Sequence, residues 1–156
     1  MSVDAVVRIR PIAPADIDRI VEIAADVEDA PQWPRRAYEE LLDPSSKERV
    51  AMVAEDSRTG VVVGFVVAGL VRPEAELESI AVSVPFQRRG VARRLFAAMA
   101  DELGLRHVRQ VLLEVRESNH AARALYGKLG FAEEGRRPGY YADPIEDGVL
   151  MRMQIW

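Results

Sequence analysis

The sequence predicts a mixed α/β sheet covered by helices. Alternating or continuous apolar runs typical of strands are separated by segments whose apolar residues recur at helical spacing. The chain has 156 residues, 49% of them hydrophobic and 29% charged, which is typical of a globular chain with a buried core. No internal repeat or long linker interrupts it, and we therefore expect one domain over 1–156.

The elements follow in the order β-α-α-β-β-β-α-β-α-β-β. A strand over 5–12 precedes an amphipathic helix over 14–28, and Pro34 begins a shorter helix over 34–42. The later predicted strands are 49–56, 60–71, 75–84, 109–115, 131–136 and 148–155. The later predicted helices are 90–104 and 119–129, the second ended by Gly130 as a left-handed cap.

Composition excludes several classes of function. The formal net charge of −4 argues against general nucleic-acid binding, which needs a basic face. The absence of cysteine excludes disulfides and thiolate metal sites, and with only two histidines we expect no metal site. No apolar run approaches the roughly 20 residues that span a bilayer, and the first residues do not resemble a signal peptide. We expect a cytoplasmic protein.

The stretch "VPFQRRGVARRLF" (84–96) places four arginines around Gly90, between a predicted strand and a predicted helix. Backbone N–H groups at a helix N-terminus bind anions, and a glycine lets a phosphate approach the backbone closely. An ordinary solvated helix end explains the arginines equally well. A P-loop and a dinucleotide fingerprint are both excluded, because their additional glycines are absent. The best functional interpretation is a pyrophosphate held by backbone amides.

The stretch "LLEVRESNHAARALYGKLGF" (112–131) holds three further candidates. Glu114 lies in an apolar strand, where a charged side chain is rare unless it is paired with an arginine or has a function. Asn119 precedes the next helix and is explained by an N-cap alone. Tyr126 is explained by a core aromatic with a solvated hydroxyl. The predicted core stripe of this helix is Ala121, Leu125 and Leu129.

The motifs "QRRGVA" (87–92) and "N-x-x-A-x-x-L-Y-x-x-x-G-F" (119–131) resemble those of the GNAT family of N-acetyltransferases. The resemblance implies a mostly antiparallel sheet and acetyl-CoA as cosubstrate. It also implies that Asn119 contacts CoA and that Tyr126 protonates the departing thiolate. The remaining CoA-binding residues that it implies are Ile80, Ala81, Val82, Arg88, Arg89, Gly90, Val91, Ala92 and Arg93. The N–H of Val82 would polarise the thioester carbonyl.

Residues 76–151 more narrowly resemble the GNAT subfamily that acetylates the N-terminal alanine of ribosomal protein S18. That resemblance implies that Glu114, within "LEVR", is the general base. It also places Trp33, in "PQWP" (31–34), near the acceptor. Tyr140 and Tyr141 would flank an acceptor peptide from a loop over 136–144; the alternative is a surface hairpin whose aromatics cover a core edge. Ser79 stands where that subfamily has an asparagine.

Three functions remain open at this point. The leading hypothesis is acetylation of a protein N-terminus, with an S18-like tail as the candidate acceptor. We expect neither a membrane nor a nucleic acid as partner. The second is acetylation of a small amine by the same chemistry. The third is a non-catalytic module that binds acetyl-CoA, against which the pair Glu114 and Tyr126 counts, because binding alone needs neither.

Overall fold

The computed structural model describes residues 6–27 and 30–155 and folds them around one mixed sheet. The described strands are β1 (Val7–Pro11), β2 (Arg49–Asp56), β3 (Val62–Val71), β4 (Glu74–Val82), β5 (Gln110–Arg116), β6 (Ala132–Tyr141) and β7 (Glu146–Gln154). The described α-helices are α1 (Ile17–Asp26), α2 (Arg35–Glu39), α3 (Val91–Leu105) and α4 (His120–Leu129). The predicted element order is confirmed; residues 5 and 28, at the ends of two predicted elements, lie outside the described residues.

Helices α3 and α4 cover one face of the sheet, and α1 and α2 cover the other. Helix α3 buries the residues that the sequence predicts, Val91, Leu95, Phe96 and Met99, together with Leu103. Gly64 of β3 lets α3 approach closely, because a Cβ there would lie 3.1 Å from Cδ1 of Leu95. Helix α1 buries Ile17, Ile20, Ile23 and Ala24 in a second cluster with Tyr38 and Phe65. None of the described helices is long and apolar enough to cross a bilayer.

Helix α4 packs Leu125 and Leu129 on the core, as predicted, but with Ala122 in place of Ala121. Ala122 is buried, whereas Ala121 is exposed, so the prediction for Ala121 is wrong. The residues that pack on the core are Ala122, Leu125, Tyr126 and Leu129. They follow the i, i+3, i+4, i+7 spacing of one helix face, which buries the aromatic ring of Tyr126 along with the leucines.

The strand order is β1-β2-β3-β4-β5-β7-β6, and the β4–β5 pair is the parallel one in the described sheet. Its ladder contains two residue pairs, Ala75 with Val111 and Glu76 with Leu112. On their other edges, β4 stays paired with β3 as far as Val82, and β5 stays paired with β7 as far as Arg116. The two strands therefore part after Glu76 and Leu112. We call the gap between 77–82 and 113–116 the cleft.

Strand β6 corrects the prediction of a loop over 136–144. It continues to Tyr141, and the turn to β7 is confined to 142–145. The ladder with β7 shifts register between Arg137 and Tyr141. This irregularity accommodates Pro138, which has no N–H to donate, and Gly139, whose φ is +60° and whose N–H donates to Asp147 Oδ1 at 3.0 Å. Since β6 is an edge strand, the sheet tolerates the interruption.

Asp16 fixes the entry into α1. Its buried carboxylate accepts hydrogen bonds from Arg10 Nη1 and Nη2 at 2.7 and 2.9 Å and from the Ala13 N–H at 2.7 Å. Arg10 belongs to β1, so the contact ties the first strand to the start of the helix. The hydrogen bonds from Arg10 hold the pKa of Asp16 below its ordinary value of 3.8.

We expect Asp16→Asn to lower the free energy of unfolding by about 1–3 kcal/mol at pH 7, because a buried charge-assisted pair is lost. A carboxyl whose pKa is lower when folded contributes stability above its unfolded pKa and loses it as the pH falls through its folded value. Urea unfolding at pH 7 and at pH 3 should therefore show a smaller acid-induced loss in the variant. Exposed Asp101→Asn, the control, should match the parent within about 0.5 kcal/mol; an equal effect of both changes would contradict the assignment.

Candidate active site

The cleft joins the two faces of the sheet. Leu113 and Val115 of β5 point into the core beneath α3 and α4, so Glu114, which lies between them, points to the opposite face. Tyr126 packs against that core from α4. The candidate acid, on α4, and the candidate base, on β5, therefore lie on opposite faces of the sheet.

The segment 87–90 forms a turn that delivers the chain to the N-terminus of α3. Arg88 has φ +61° and Gly90 has φ +79°, and Gly90 is the residue that caps the helix. The first N–H groups of an α-helix lack intrahelical acceptors because of their position, and in α3 these groups begin with Val91 and Ala92. A fifteen-residue helix with a left-handed glycine at its start can hold an anion at this end of the cleft.

The arginines of this turn differ in their surroundings. Arg89 stacks on the Phe86 ring, with Cζ 4.9 Å from the centroid, and is half-buried. Arg88 and Arg93 are exposed. The chain thus presents positive charge around the amides without a carboxylate in the sequence between 84 and 100.

Ile80, Ala81 and Val82 form the last part of β4, beside the cleft, and all their side chains are buried. What these residues can offer to a ligand in the cleft is therefore backbone. The side chain of Gln87 donates to the Val82 carbonyl at 3.0 Å and ties the anion-binding turn to the end of the strand. The position of Gln87 in "QRRGVA" does not by itself predict this contact.

Asn119 is the N-cap of α4, as one interpretation of the sequence predicts. Its Oδ1 accepts from the Ala122 N–H at 3.1 Å. Tyr126 is half-buried, and its ring meets Phe131 edge to face with centroids 6.0 Å apart. Gly130 ends the helix at φ +112°, which confirms the predicted left-handed cap.

Glu114 has two chemically different oxygens. Oε1 lies 3.0 Å from Nη2 of Arg137, so the carboxylate is paired with an arginine, though not with Arg116. Oε2 is buried and has no hydrogen-bond partner among the described residues. Arg116 instead donates to the carbonyls of Pro144 and Ala142. An unpaired buried carboxylate oxygen is able to accept a proton or a hydrogen bond from a molecule that enters the cleft.

Two more carboxylates, which the sequence analysis missed, share the face of Glu114. Glu76 and Glu78 of β4 lie on the opposite face from Ala75 and Leu77, which point into the core. Glu78 pairs with Arg49 at 2.9 Å. Partial burial raises the pKa of Glu76, and the negative charges of Glu78 and Glu114 raise it further. The alternation in "AELES" predicts that Glu76 and Glu78 share a face. Their proximity to Glu114 could not be predicted, because Glu114 is distant from them along the chain.

Tyr141 and Tyr140 flank this acidic face from β6. Burial raises the pKa of Tyr141 and the Glu114 charge adds to it, which places the hydroxyl in the field of that carboxylate. Tyr140 is 49% exposed, and its ring lies against Gly148, where a Cβ would be 3.3 Å from its Cδ2. Trp33 lies apart from them, with its ring 5.2 Å from that of buried Tyr38 in the cluster below α1 and α2.

The chain matches a known protein family over more than half of its length. Residues 17–131 match the model of the Acetyltransferase (GNAT) family. The chain belongs to the GNAT acetyltransferase family. The match includes Gly90, Glu114, Asn119 and Tyr126 and ends before β6, so Tyr140 and Tyr141 lie outside it.

Individual GNAT relatives agree with this assignment. The ribosomal protein bS18-alanine N-acetyltransferase of Escherichia coli K12 is 42% identical over 101 residues, which are 64% of this chain and 68% of that protein. The crystal structure of the Escherichia coli ribosomal-protein-S18-alanine N-acetyltransferase has a TM-score of 0.79 at 31% identity and covers 96% of this chain and 94% of that one. Ard1 from Thermoplasma volcanium has a TM-score of 0.81 at 28% identity, covering 96% and 98%.

Membership of the GNAT family identifies the chain as an acyltransferase, and GNAT enzymes use acetyl-CoA as cosubstrate. The residues present fit that ligand: the turn at Gly90 offers amides to a pyrophosphate, and the parted strands offer backbone to the pantetheine chain. Within the described residues, no group of three or more histidine, aspartate or glutamate side chains has a geometry that could hold a metal ion.

We expect Gly90→Ala to raise the Kd for CoA about tenfold, which is about 1.4 kcal/mol. The added Cβ strains the left-handed backbone and occupies the space through which a phosphate approaches the amides. Isothermal titration calorimetry with CoA measures the change. Gly60→Ala is the matched control, because Gly60 has a similar φ of +74° with open space around it, in the β2–β3 turn. Equal CoA affinity in both variants would contradict this role of Gly90.

Proposed function

We propose that this GNAT enzyme acetylates the N-terminal α-amine of a protein, with an S18-like N-terminus as acceptor. The observation that carries the proposal is the cleft, which gives a ligand on the α3–α4 face access to Glu114 on the other face. The similarity to the bS18-alanine N-acetyltransferase of Escherichia coli supports this choice of acceptor.

On the α3–α4 face, the turn 88–93 would bind the pyrophosphate through amides and arginine side chains. Asn119 lies at the start of α4 and would contact CoA while capping the helix. The backbone of Ile80, Ala81 and Val82 would align the pantetheine and acetyl parts, with the Val82 N–H polarising the carbonyl. When bound, acetyl-CoA supplies the activated acetyl group; alignment of the two reactants contributes on the order of 7–11 kcal/mol in favourable cases.

On the other face, Glu114 would accept the proton that the acceptor ammonium must lose. An α-amine with a pKa of about 7.7–8.0 is roughly 10–20% neutral at pH 7, whereas a lysine side chain near 10.4 is about 0.04% neutral. A single carboxylate base, without a histidine beside it, is therefore better matched to an α-amine. Oε2 of Glu114 is the oxygen for this step, because Oε1 already pairs with Arg137.

Tyr126 would donate its hydroxyl proton to the sulfur as the thiolate leaves. Its ring packs against the core and meets Phe131 edge to face, which limits the orientations of the side chain. Acid and base then act from opposite faces of the sheet on one reacting centre. Direct transfer within a ternary complex follows from this arrangement, since neither residue needs to form a covalent intermediate.

The acceptor would lie on the α1–α2 face beside Tyr140 and Tyr141, with Trp33 at its far side. The tyrosines offer aromatic surface to a peptide backbone. Glu76 and Glu78 add negative charge there and favour an acceptor with basic residues. The same charge also suits a polyamine, which is the observation that favours a small amine as the second candidate acceptor.

We expect Glu114→Gln and Tyr126→Phe each to lower kcat about 10²- to 10⁴-fold, the range that one positioned acid or base contributes. Both substitutions keep the shape of the side chain, so the Tm should change little. Glu102→Gln on α3, remote from the cleft, is the control and should retain the parent kcat. Turnover that survives both changes at saturating acetyl-CoA would refute the assigned mechanism.

Direct competition between acceptors tests the proposed substrate. We expect intact-mass analysis to find acetyl transfer to an S18-like N-terminal peptide and none to the same peptide with a blocked α-amine and a free lysine. Polyamines, free amino acids and aminoglycosides form the small-amine panel. Preference for a member of that panel would replace the peptide assignment, and CoA binding without transfer to any amine would identify a non-catalytic module.

A further inference from the structure

We propose that Arg137 is a positioning residue for acetyl transfer: it holds Oε1 of Glu114 in an ion pair and so leaves Oε2 to the acceptor amine. The inference rests on the proposed function, in which Glu114 is the base. It adds a residue that lies outside the stretch matched by the family model.

The two oxygens of Glu114 are unequal because of Arg137. The Glu114 side chain is 18% exposed, and Nη2 of Arg137 lies 3.0 Å from Oε1. Among the described residues, this is the ion pair that Glu114 makes, and Oε2 is left buried without a hydrogen-bond partner. An ion pair to one oxygen fixes the orientation of the carboxylate and therefore the direction in which the second oxygen points. Arg137 therefore pairs with Oε1, and Oε2 remains available to a ligand.

The backbone holds Arg137 in this place. Arg137 pairs with Gly148 of β7, and the register of β6 shifts immediately after it. The shift brings Tyr140 back over Gly148, where a Cβ would lie 3.4 Å from the Tyr140 Cβ and 3.5 Å from Glu114 Oε2. Arg137 stacks on the Tyr140 ring with Cζ 4.9 Å from its centroid. The irregular strand and the missing side chain of Gly148 thus bring arginine, ring and carboxylate together.

Neighbouring charge gives this ion pair a function. Glu76 and Glu78 lie on the same face as Glu114, so three carboxylates are close together there. Arg49 compensates Glu78 through its own ion pair, whereas Arg137 compensates Glu114. Without Arg137, Glu114 would be repelled by its acidic neighbours and free to turn toward solvent. Its Oε2 would then no longer point to the place where it accepts the proton of the acceptor.

The alternative is that Arg137 has only a structural role and stabilises β6 on the sheet through its contact with Tyr140. The Arg137 side chain is 55% exposed, and exposed ion pairs contribute little to stability. The two roles differ in one measurable respect. A positioning role requires that the effect of Arg137 depend on Glu114, whereas a structural role does not.

A double-mutant cycle separates the two roles. The variants are Arg137→Gln, Arg137→Lys, Glu114→Gln and the double change Arg137→Gln with Glu114→Gln. Initial rates with an S18-like peptide varied at saturating acetyl-CoA, and with acetyl-CoA varied at saturating peptide, give kcat and the KM for each substrate, and thermal unfolding gives the Tm. Arg136→Gln is the matched control, because Arg136 is the adjacent β6 arginine and pairs with Glu117 instead.

We expect Arg137→Gln to lower kcat at least tenfold, while the KM for acetyl-CoA and the Tm stay near the parent values. Lysine keeps the charge but not the planar fork, so Arg137→Lys should recover most of kcat. The double variant should be no slower than Glu114→Gln alone, because the arginine has nothing left to position. Arg136→Gln should behave as the parent.

Two results overturn the inference alone: parent-like kcat in Arg137→Gln when Glu114→Gln is impaired, or losses that multiply in the double variant. Parent-like kcat in Glu114→Gln has a different meaning. It removes Glu114 as the base, and the proposed mechanism falls together with the role of Arg137. A lower Tm in Arg137→Gln, without coupling between Arg137 and Glu114 in kcat, would show that Arg137 has only the structural role of holding β6 on the sheet.

Discussion

Strands β4 and β5 run parallel, pair through two residues and then part, and the site depends on this separation. Each strand is held on its other edge by a long antiparallel ladder, β4 by β3 and β5 by β7. The gap is therefore rigidly bordered. In a continuous sheet, the backbone groups of β4 would form hydrogen bonds with a neighbouring strand. Here they can bind an extended ligand instead, at the point where the two faces of the sheet meet.

The two faces have opposite electrostatic character. On the α3–α4 face, amides and arginines gather around Gly90, where a polyanionic ligand would end. On the other face, Glu76, Glu78 and Glu114 lie near one another and are partly compensated by Arg49 and Arg137. A modest overall charge of −4 conceals this division. Under the proposed function, this charge distribution, rather than the net charge, would orient the two substrates toward each other.

Strand β6 shows why the surroundings of Glu114 could not be predicted from the sequence. "RRPGYYADP" contains proline and glycine, and these residues predict a loop over 136–144. The ladder with β7 continues through them by a shift in register, since an edge strand loses only one hydrogen bond at Pro138. This tertiary pairing sets the positions of Arg137 and Tyr140 beside Glu114. Neither propensity nor spacing along the chain contains that information.

The sequence by itself determined the order of strands and helices, the glycine at the start of α3, the caps at Asn119 and Gly130, and the face of β5 from which Glu114 projects. These features depend on local backbone preferences and on the periods of strand and helix, which a linear pattern records. Only the tertiary structure decided where the β4–β5 ladder ends, which stripe of α4 is buried, and which arginine pairs with Glu114. Those outcomes depend on contacts between segments distant in the chain, where several arginines and several registers compete and packing selects one.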